Sequence, residues 1–153
     1  MSLFSILFSM PVFWVLMLLA CGALIFLAVY YLVSLTDLES DLQNPIDMCR
    51  RANQCVLPEI GGHLVLCALF LITGNWVEFL VNVPLAAWNV KAVLDHKHLF
   101  DATSIFQDLP RHKTIQFAKL GYQMLFFFLL LFRLVTSLIA LSNYSRRRYP
   151  TDY

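Results

Sequence analysis

Hydrophobic residues in this chain are gathered into three long blocks separated by polar segments. The first Lys, Arg, Asp, Glu or His in the chain is Asp37, so a long uncharged stretch opens the sequence. A bilayer crossing needs about 20 apolar residues, and Pro11 suits the first turn of a helix. We therefore predict a first transmembrane helix over about residues 11–33.

The second block, residues 57–94, is too long for a single crossing. As one straight helix it would measure about 57 Å, nearly twice the ~30 Å thickness of a hydrocarbon core. Gly74 and Asn75 lie at its middle, and these residue types accept the left-handed backbone conformation that ends a helix. We predict a hairpin of two helices, over residues 57–73 and 76–93.

The third block predicts a fourth crossing over residues 120–141, which places both termini on the same side of the membrane. Cytosolic loops are rich in Lys and Arg. Seven such residues lie in or beside segments 34–56 and 94–119, against three in the tail, residues 142–153. We predict two cytosolic loops, a lumenal tail, and termini that are both lumenal or extracellular. A chain with three crossings would place the two basic loops on opposite sides of the membrane, which fits the distribution of Lys and Arg less well.

Composition agrees with this organisation. Hydrophobic residues make up 59% of the 153 residues and charged residues only 14%, whereas soluble domains average about 25% charged residues. The fold class predicted is an all-α integral membrane protein, with one membrane domain over residues 1–153. The basic residues form no stripe with interleaved aromatics, which argues against nucleic-acid binding. We find no catalytic motif and no metal-ligand spacing around the histidines, so we predict no enzyme, metal or cofactor.

Polar residues of the third predicted helix fall on one face, since Glu78, Asn82 and Asn89 lie within about 40° of one another at helical spacing. Lipid offers such side chains no hydrogen-bond partner, so this polar stripe should face other helices. Arg133 of the fourth helix has a long side chain that can extend toward the lumenal side. We predict an ion pair between Glu78 and Arg133 within the membrane.

The first loop predicts a short helix, because Asn44 suits an N-cap and Pro45 the first helical position. This helix would carry a weakly apolar stripe, formed by Ile46, Cys49, Asn53 and Val56. Such a stripe favours a helix that lies at the membrane interface over a binding site.

The second loop predicts one helical turn, since Ser104 and Gln107 have capping-box spacing and Pro110 disfavours helix at the preceding residue. One side of this turn would be apolar and consist of Ile105, Phe106 and Leu109. An exposed apolar side would contact a partner or the membrane. Alternatively, Ile105 and Phe106 would pack beneath the hairpin.

Residues from both loops and all four helices form a dispersed pattern that resembles the cornichon family. The first-loop part is Asp37-Leu38-Glu39, Asp41, Asn44-Pro45-Ile46, Cys49, Asn53 and Pro58-Glu59. The pattern continues with Gly74-Asn75-Trp76, Asn82-Val83-Pro84, Asn89, Asp101-Ala102-Thr103, Ile105-Phe106, His112-Lys113 and Lys119-Leu120. The resemblance implies a multi-pass protein of the endoplasmic reticulum membrane, with four helices and both termini lumenal or extracellular.

The resemblance also implies a function, that of a cargo receptor linking transmembrane cargo to COPII coat subunits for export to the Golgi. The expected coat-binding segment pairs an I-F-x-x-L motif with basic residues, here Ile105, Phe106, Leu109, Arg111 and Lys113. It departs from the usual pattern at Ser104 and Gln107. The polar stripe would either hold helices together or, with a face of the second helix, form a groove for cargo helices.

An alternative within the same family is an auxiliary subunit of a plasma-membrane channel or receptor. Members with that role look to have an extra segment in the first loop, whereas here Asn44 runs almost directly into Cys49. The expected partners are therefore transmembrane cargo, the COPII coat and the lipid bilayer.

Overall fold

Four helices account for most of residues 11–148, the part of the chain that the computed structural model describes. They are α1 (Pro11–Glu39), α2 (Pro45–Ile72), α3 (Trp76–Leu94) and α4 (Ile105–Arg148). Each is long and apolar enough to cross a membrane. The prediction of an all-helical protein with four candidate spans is confirmed, and the second hydrophobic block is indeed divided into two helices.

The helices form a bundle with two distinct ends. α1 packs along α4 and also contacts α2, while α3 contacts α2. We call the end with segments 40–44 and 95–104 the loop end, and the end with residues 73–75 the turn end. Each end has its own apolar core. The loop-end core is Tyr31, Leu35, Leu38, Met48, Cys49, Ala52, Val56, Ile60, Phe100, Ile105 and Leu109. The turn-end core is Phe13, Trp14, Met17, Cys21, Leu24, Leu66, Phe70, Phe126 and Leu130.

The turn between α2 and α3 is built around Gly74, whose φ is +76°. The backbone N–H of Asn75 donates to the carbonyl of Phe70 at 2.9 Å, and that of Gly74 donates to the carbonyl of Leu71 at 3.2 Å. This pair of bonds is the Schellman arrangement, which ends a helix with a left-handed residue that glycine adopts without strain. The chain can therefore reverse within three residues.

α2 is longer than predicted, because the short first-loop helix and the second crossing are one helix. Asn44 is its N-cap, as expected, with the side-chain oxygen accepting from the N–H of Ile46 at 2.9 Å. The helix then continues through Pro58. A proline removes one backbone bond, and the buried residues on either side, Val56 and Ile60, hold both halves against the loop-end core.

α4 likewise has no break at Pro110, so the prediction of a single isolated turn is wrong. The proline lies in the second turn of a 44-residue helix, where only one backbone bond is lost. Leu109 and Gln116 are buried before and after it, and their packing keeps the helix continuous. The helix also extends past the predicted crossing into the tail, as far as Arg148.

Candidate functional site

Segment 95–104 at the loop end is fastened to α2 by one side chain. Asn53 donates from Nδ2 to the carbonyl of Phe100 at 2.9 Å and accepts from the N–H of Phe100 at 2.7 Å. The Phe100 ring lies 5.8 Å from that of Tyr31 and 4.8 Å from that of His112. The backbone leading into α4 is therefore held from both sides.

The residues expected to bind the coat do not share one exposed side. Ile105 is fully buried and Leu109 is nearly so, both within the loop-end core, whereas Phe106 is 53% exposed. The reason is helical geometry, since residues four apart lie about 40° apart while adjacent residues lie about 100° apart. The expectation of one exposed apolar side is thus wrong, and tucking occurs for Ile105 but not for Phe106.

The basic residues near Phe106 differ in whether an ion pair holds the side chain. Arg111 is exposed, whereas Lys113 places its Nζ 2.6 Å from Oε2 of Glu39 at the end of α1. A second lysine, Lys119, lies 3.4 Å from Oε1 of Glu59, with both side chains largely buried. Two carboxylates of the first-loop motif therefore engage two lysines of α4.

The other residues of the first-loop motif stabilise the connection they belong to. Asp37 accepts from Nε2 of Gln43 at 3.2 Å across segment 40–44. Asn44 caps α2 and Pro45 occupies its first turn. Together with the ion pairs of Glu39 and Glu59, these contacts connect the first-loop motif to α4 and brace the loop end, which positions the start of α4.

A cavity of about 350 Å³ with a mixed polar and apolar lining opens at the loop end between α2, α3, segment 95–104 and α4. At its edge, Asp101 accepts hydrogen bonds from the backbone N–H of Thr103 at 3.0 Å and from its hydroxyl at 2.8 Å. These bonds lower the pKa of Asp101. Charged side chains of both signs line the cavity, among them Glu59, Lys91, Asp95, Lys97, Arg111 and Lys119.

The polar stripe on α3 faces the interior of the bundle. Glu78, Asn82 and Asn89 are all buried, and Asn82 donates from Nδ2 to the carbonyl of Glu78 at 2.8 Å. The structure brings together the expected pair, with Arg133 Nε 2.5 Å from Glu78 Oε1. The two atoms lie at ion-pair distance without the alignment of a hydrogen bond. The guanidinium also lies 5.2 Å from the centre of the Trp14 ring.

Sequence reasoning missed other buried polar groups, which lie on α2 and α4. His63 of α2 and Gln116 and Gln123 of α4 are buried as well. Their spacing carried a signal, because Gln116, Lys119 and Gln123 recur at helical intervals on one face of α4. Burial of polar residues on three helices favours the helix-packing interpretation of the stripe, since polar side chains stabilise contacts between helices in lipid.

An apolar groove of about 520 Å³ lies on another face of the α2–α3 pair. Two adjacent small residues, Ala86 and Ala87, form part of its floor, and small residues allow a further helix to approach closely. Its other walls include Leu64, Cys67, Phe79, Val83 and Val90.

These features define a class of protein, a four-helix membrane bundle whose loop end is braced and whose α2–α3 face carries an apolar groove. Comparison with known proteins identifies the family within that class. A family model described as "Cornichon protein" matches residues 11–132, and the chain belongs to the cornichon family. The resemblance found in the sequence is thereby confirmed.

Named relatives are similar over most of their length. The chain is 40% identical over 122 residues to ER-derived vesicles protein erv14 of Schizosaccharomyces pombe, covering 80% of this chain and 89% of that protein. It is 42% identical over 111 residues to ER-derived vesicles protein ERV15 of Saccharomyces cerevisiae, covering 72% and 78%. It is 38% identical over 130 residues to protein cornichon homolog 2 of Oryza sativa subsp. japonica, covering 85% and 87%.

Proposed function

We propose that this protein is a receptor for the export of transmembrane proteins from the endoplasmic reticulum in COPII vesicles. Family membership supports the proposal, as do relatives named for vesicles derived from that compartment. The observation that carries the mechanism is Phe106, an exposed aromatic side chain on a segment whose neighbours Ile105 and Leu109 are anchored in the core.

The loop end is the proposed coat-binding surface, formed by Phe106 with the exposed Arg111 and facing the cytosol. An aromatic side chain held on a rigid element loses little conformational freedom on binding, and aromatic and arginine residues dominate binding energy at protein interfaces. Ile105 and Leu109 position this surface from beneath. Lys113 contributes through its ion pair with Glu39, which fixes α4 against α1.

The groove beside Ala86 and Ala87 is the proposed cargo-binding surface. It lies on the α2–α3 pair and is predominantly apolar, the surface that the side of another transmembrane helix would require. Cargo bound there and coat bound at the loop end are linked through one bundle. The receptor then raises the effective concentration of the cargo at the coat. A cargo with a weak export signal is therefore retained by the coat more strongly, without new contacts between cargo and coat. The receptor would cycle between endoplasmic reticulum and Golgi.

Replacement of the exposed aromatic tests the coat-binding surface. Phe106→Ala should lower packaging of the protein into COPII vesicles formed from isolated membranes, while leaving its thermal unfolding unchanged. Phe117→Ala is the matched control, because Phe117 lies on the same helix and is 60% exposed. Equal packaging of the two variants would contradict the assignment. Stable residence of the protein at the cell surface with one channel would instead favour an auxiliary subunit.

The cargo groove is tested in the same assay by filling it. Ala87→Phe should reduce packaging of transmembrane cargo without reducing packaging of the receptor itself. Ala118→Phe makes the same change at an exposed alanine of α4, outside the groove. Loss of cargo in both variants, or in neither, would exclude the groove as the binding surface.

A further inference from the structure

The cavity at the loop end contains a buried hydrogen-bond acceptor without a donor. Gln116 of α4 lines this cavity and is only 6% exposed. Among the described residues, 11–148, none donates a hydrogen bond to its Oε1. An amide oxygen that is withdrawn from water is costly unless it receives a hydrogen bond. The cavity is therefore the side from which a donor can reach Gln116.

Two further polar side chains, from two other elements, line the same cavity. His98 belongs to segment 95–104, and its buried Nδ1 has no hydrogen-bond partner within residues 11–148. A histidine nitrogen can donate or accept, according to its protonation. Asn89 of α3 is 3% exposed and lines the cavity as well. Polar groups of two helices and one connecting segment thus converge on one space.

The charges around the cavity are balanced. Its lining residues include four Lys or Arg and four Asp or Glu, of which Glu59 and Lys119 pair with each other. In the part of the chain that the structure describes, neither Lys91 nor Lys97 forms an ion pair. Complementary charges give an interface its specificity. A lining with both signs favours a ligand that carries both signs over a simple anion.

The cavity lies where three candidate membrane spans end. Glu59, Lys91 and Lys119 stand on α2, α3 and α4 at the loop-side limits of their apolar stretches, and charged side chains concentrate where the hydrocarbon ends. Lys91 and Asp95 line both this cavity and the apolar groove. A polar space that borders an apolar one suits a ligand with a polar head and apolar chains, which is the construction of a phospholipid.

We propose that the cavity binds the headgroup of phosphatidylethanolamine. The phosphate lies near Lys91, Lys97 and His98, which supply donors for its oxygens. The ammonium lies near Asp95 and Gln116, and one of its N–H groups donates to Oε1 of Gln116. Phosphatidylcholine carries both charges too, but its quaternary ammonium has no N–H to donate. The volume of about 350 Å³ falls within the range of about 300–1,000 Å³ found for small-molecule sites.

Native mass spectrometry of the full chain, released from detergent micelles, tests this inference. The protein is mixed with phosphatidylethanolamine, phosphatidylcholine or phosphatidylglycerol of identical acyl chains, so that only the headgroup differs. Bound phosphatidylethanolamine should exceed either other lipid several-fold, and an equal concentration of free phosphoethanolamine should not displace it. Equal binding of the three lipids, or a preference for phosphatidylglycerol, would overturn the inference. Displacement by phosphoethanolamine would overturn the assignment to a lipid.

Gln116→Leu should remove the preference for phosphatidylethanolamine over phosphatidylcholine. Gln123→Leu is the matched control, because Gln123 is another buried glutamine of α4 whose Oε1 lacks a donor within residues 11–148, and it does not line the cavity. The same loss in both variants, or in neither, would contradict the site. Circular dichroism and thermal unfolding verify that both variants are folded.

A second variant keeps the test decisive if Gln116→Leu does not fold. Asp95 is exposed, so Asp95→Asn leaves the apolar cores unchanged, and it should lower binding of phosphatidylethanolamine several-fold. Asp41→Asn makes the same change at an exposed carboxylate of segment 40–44, outside the cavity, and should have no effect. Equal binding by these two variants would overturn the inference. Neither cargo nor coat enters the measurement, so its failure would leave the proposed export function untouched.

Discussion

The two ends of the bundle are held together by different means. At the loop end, hydrogen bonds and ion pairs join segments distant in sequence, as in the Asn53–Phe100 and Glu39–Lys113 contacts. At the turn end, aromatic rings pack against one another around Phe70, with the rings of Phe13 and Phe126 at 6.2 and 5.8 Å. The Glu78–Arg133 ion pair accompanies them.

The difference teaches that the cost of losing a polar contact depends on what would replace it. Near water, a side chain that loses its partner is solvated, and exposed ion pairs contribute only about 0–1 kcal/mol. Surrounded by hydrocarbon and protein, a charge without its partner has no such alternative. Similar ion pairs at the two ends should therefore respond very differently to the same substitution.

The largest effect is expected for Arg133→Leu, which leaves the fully buried Glu78 carboxylate without a counter-charge. The free energy of unfolding should fall by about 3–5 kcal/mol, measured by denaturant titration in detergent micelles. Arg146→Leu, at an exposed arginine of the same helix, should have little effect. Adding Glu78→Gln to Arg133→Leu should recover much of the loss, and no recovery would contradict an electrostatic cause.

A smaller effect is expected for Asn53→Ala, which removes both hydrogen bonds to Phe100. The cost should be about 1–3 kcal/mol, because a backbone N–H and carbonyl lose their partners. Amide hydrogen exchange should accelerate across segment 95–104 and stay unchanged at the turn end. Gln54→Ala alters an exposed neighbour on α2 and serves as the control. Unchanged exchange in segment 95–104 would show that Asn53 does not hold it.

The smallest effect is expected for Lys113→Gln, since Glu39 has a half-exposed side chain that water can solvate. The loss should be about 0.2–1 kcal/mol and should shrink at high salt. Lys119→Gln provides the comparison, because Lys119 and Glu59 are largely buried and salt should screen them little. Equal salt dependence of the two variants would remove the distinction between exposed and buried pairs at the loop end.

Much of the helical organisation could be predicted from the sequence. The length of the hydrophobic blocks requires a turn at Gly74, and the capping chemistry of Asn44 places the start of α2. The rarity of charge within the hydrophobic blocks suggested pairing Glu78 with Arg133. Each of these inferences rests on chemistry local to a few residues or on a strong constraint imposed by lipid.

The arrangement of the loop end could not be predicted in the same way. The bond between Asn53 and Phe100 joins residues 47 apart in sequence, and no local pattern specifies it. Whether a helix continues through Pro58 or Pro110 depends on the packing of buried neighbours, which outweighs the local preference of proline. The opposite exposures of Ile105 and Phe106 follow from which face of α4 contacts α1, a tertiary contact.

The unbroken length of α4 has a mechanical consequence. A helix of 44 residues is a rod about 65 Å long, and it joins Phe106 at one end of the bundle to Arg148 at the other. Because α4 packs along α1 and has no break at Pro110, its two ends belong to one continuous rod. The position of α4 against α1 therefore sets where both ends lie.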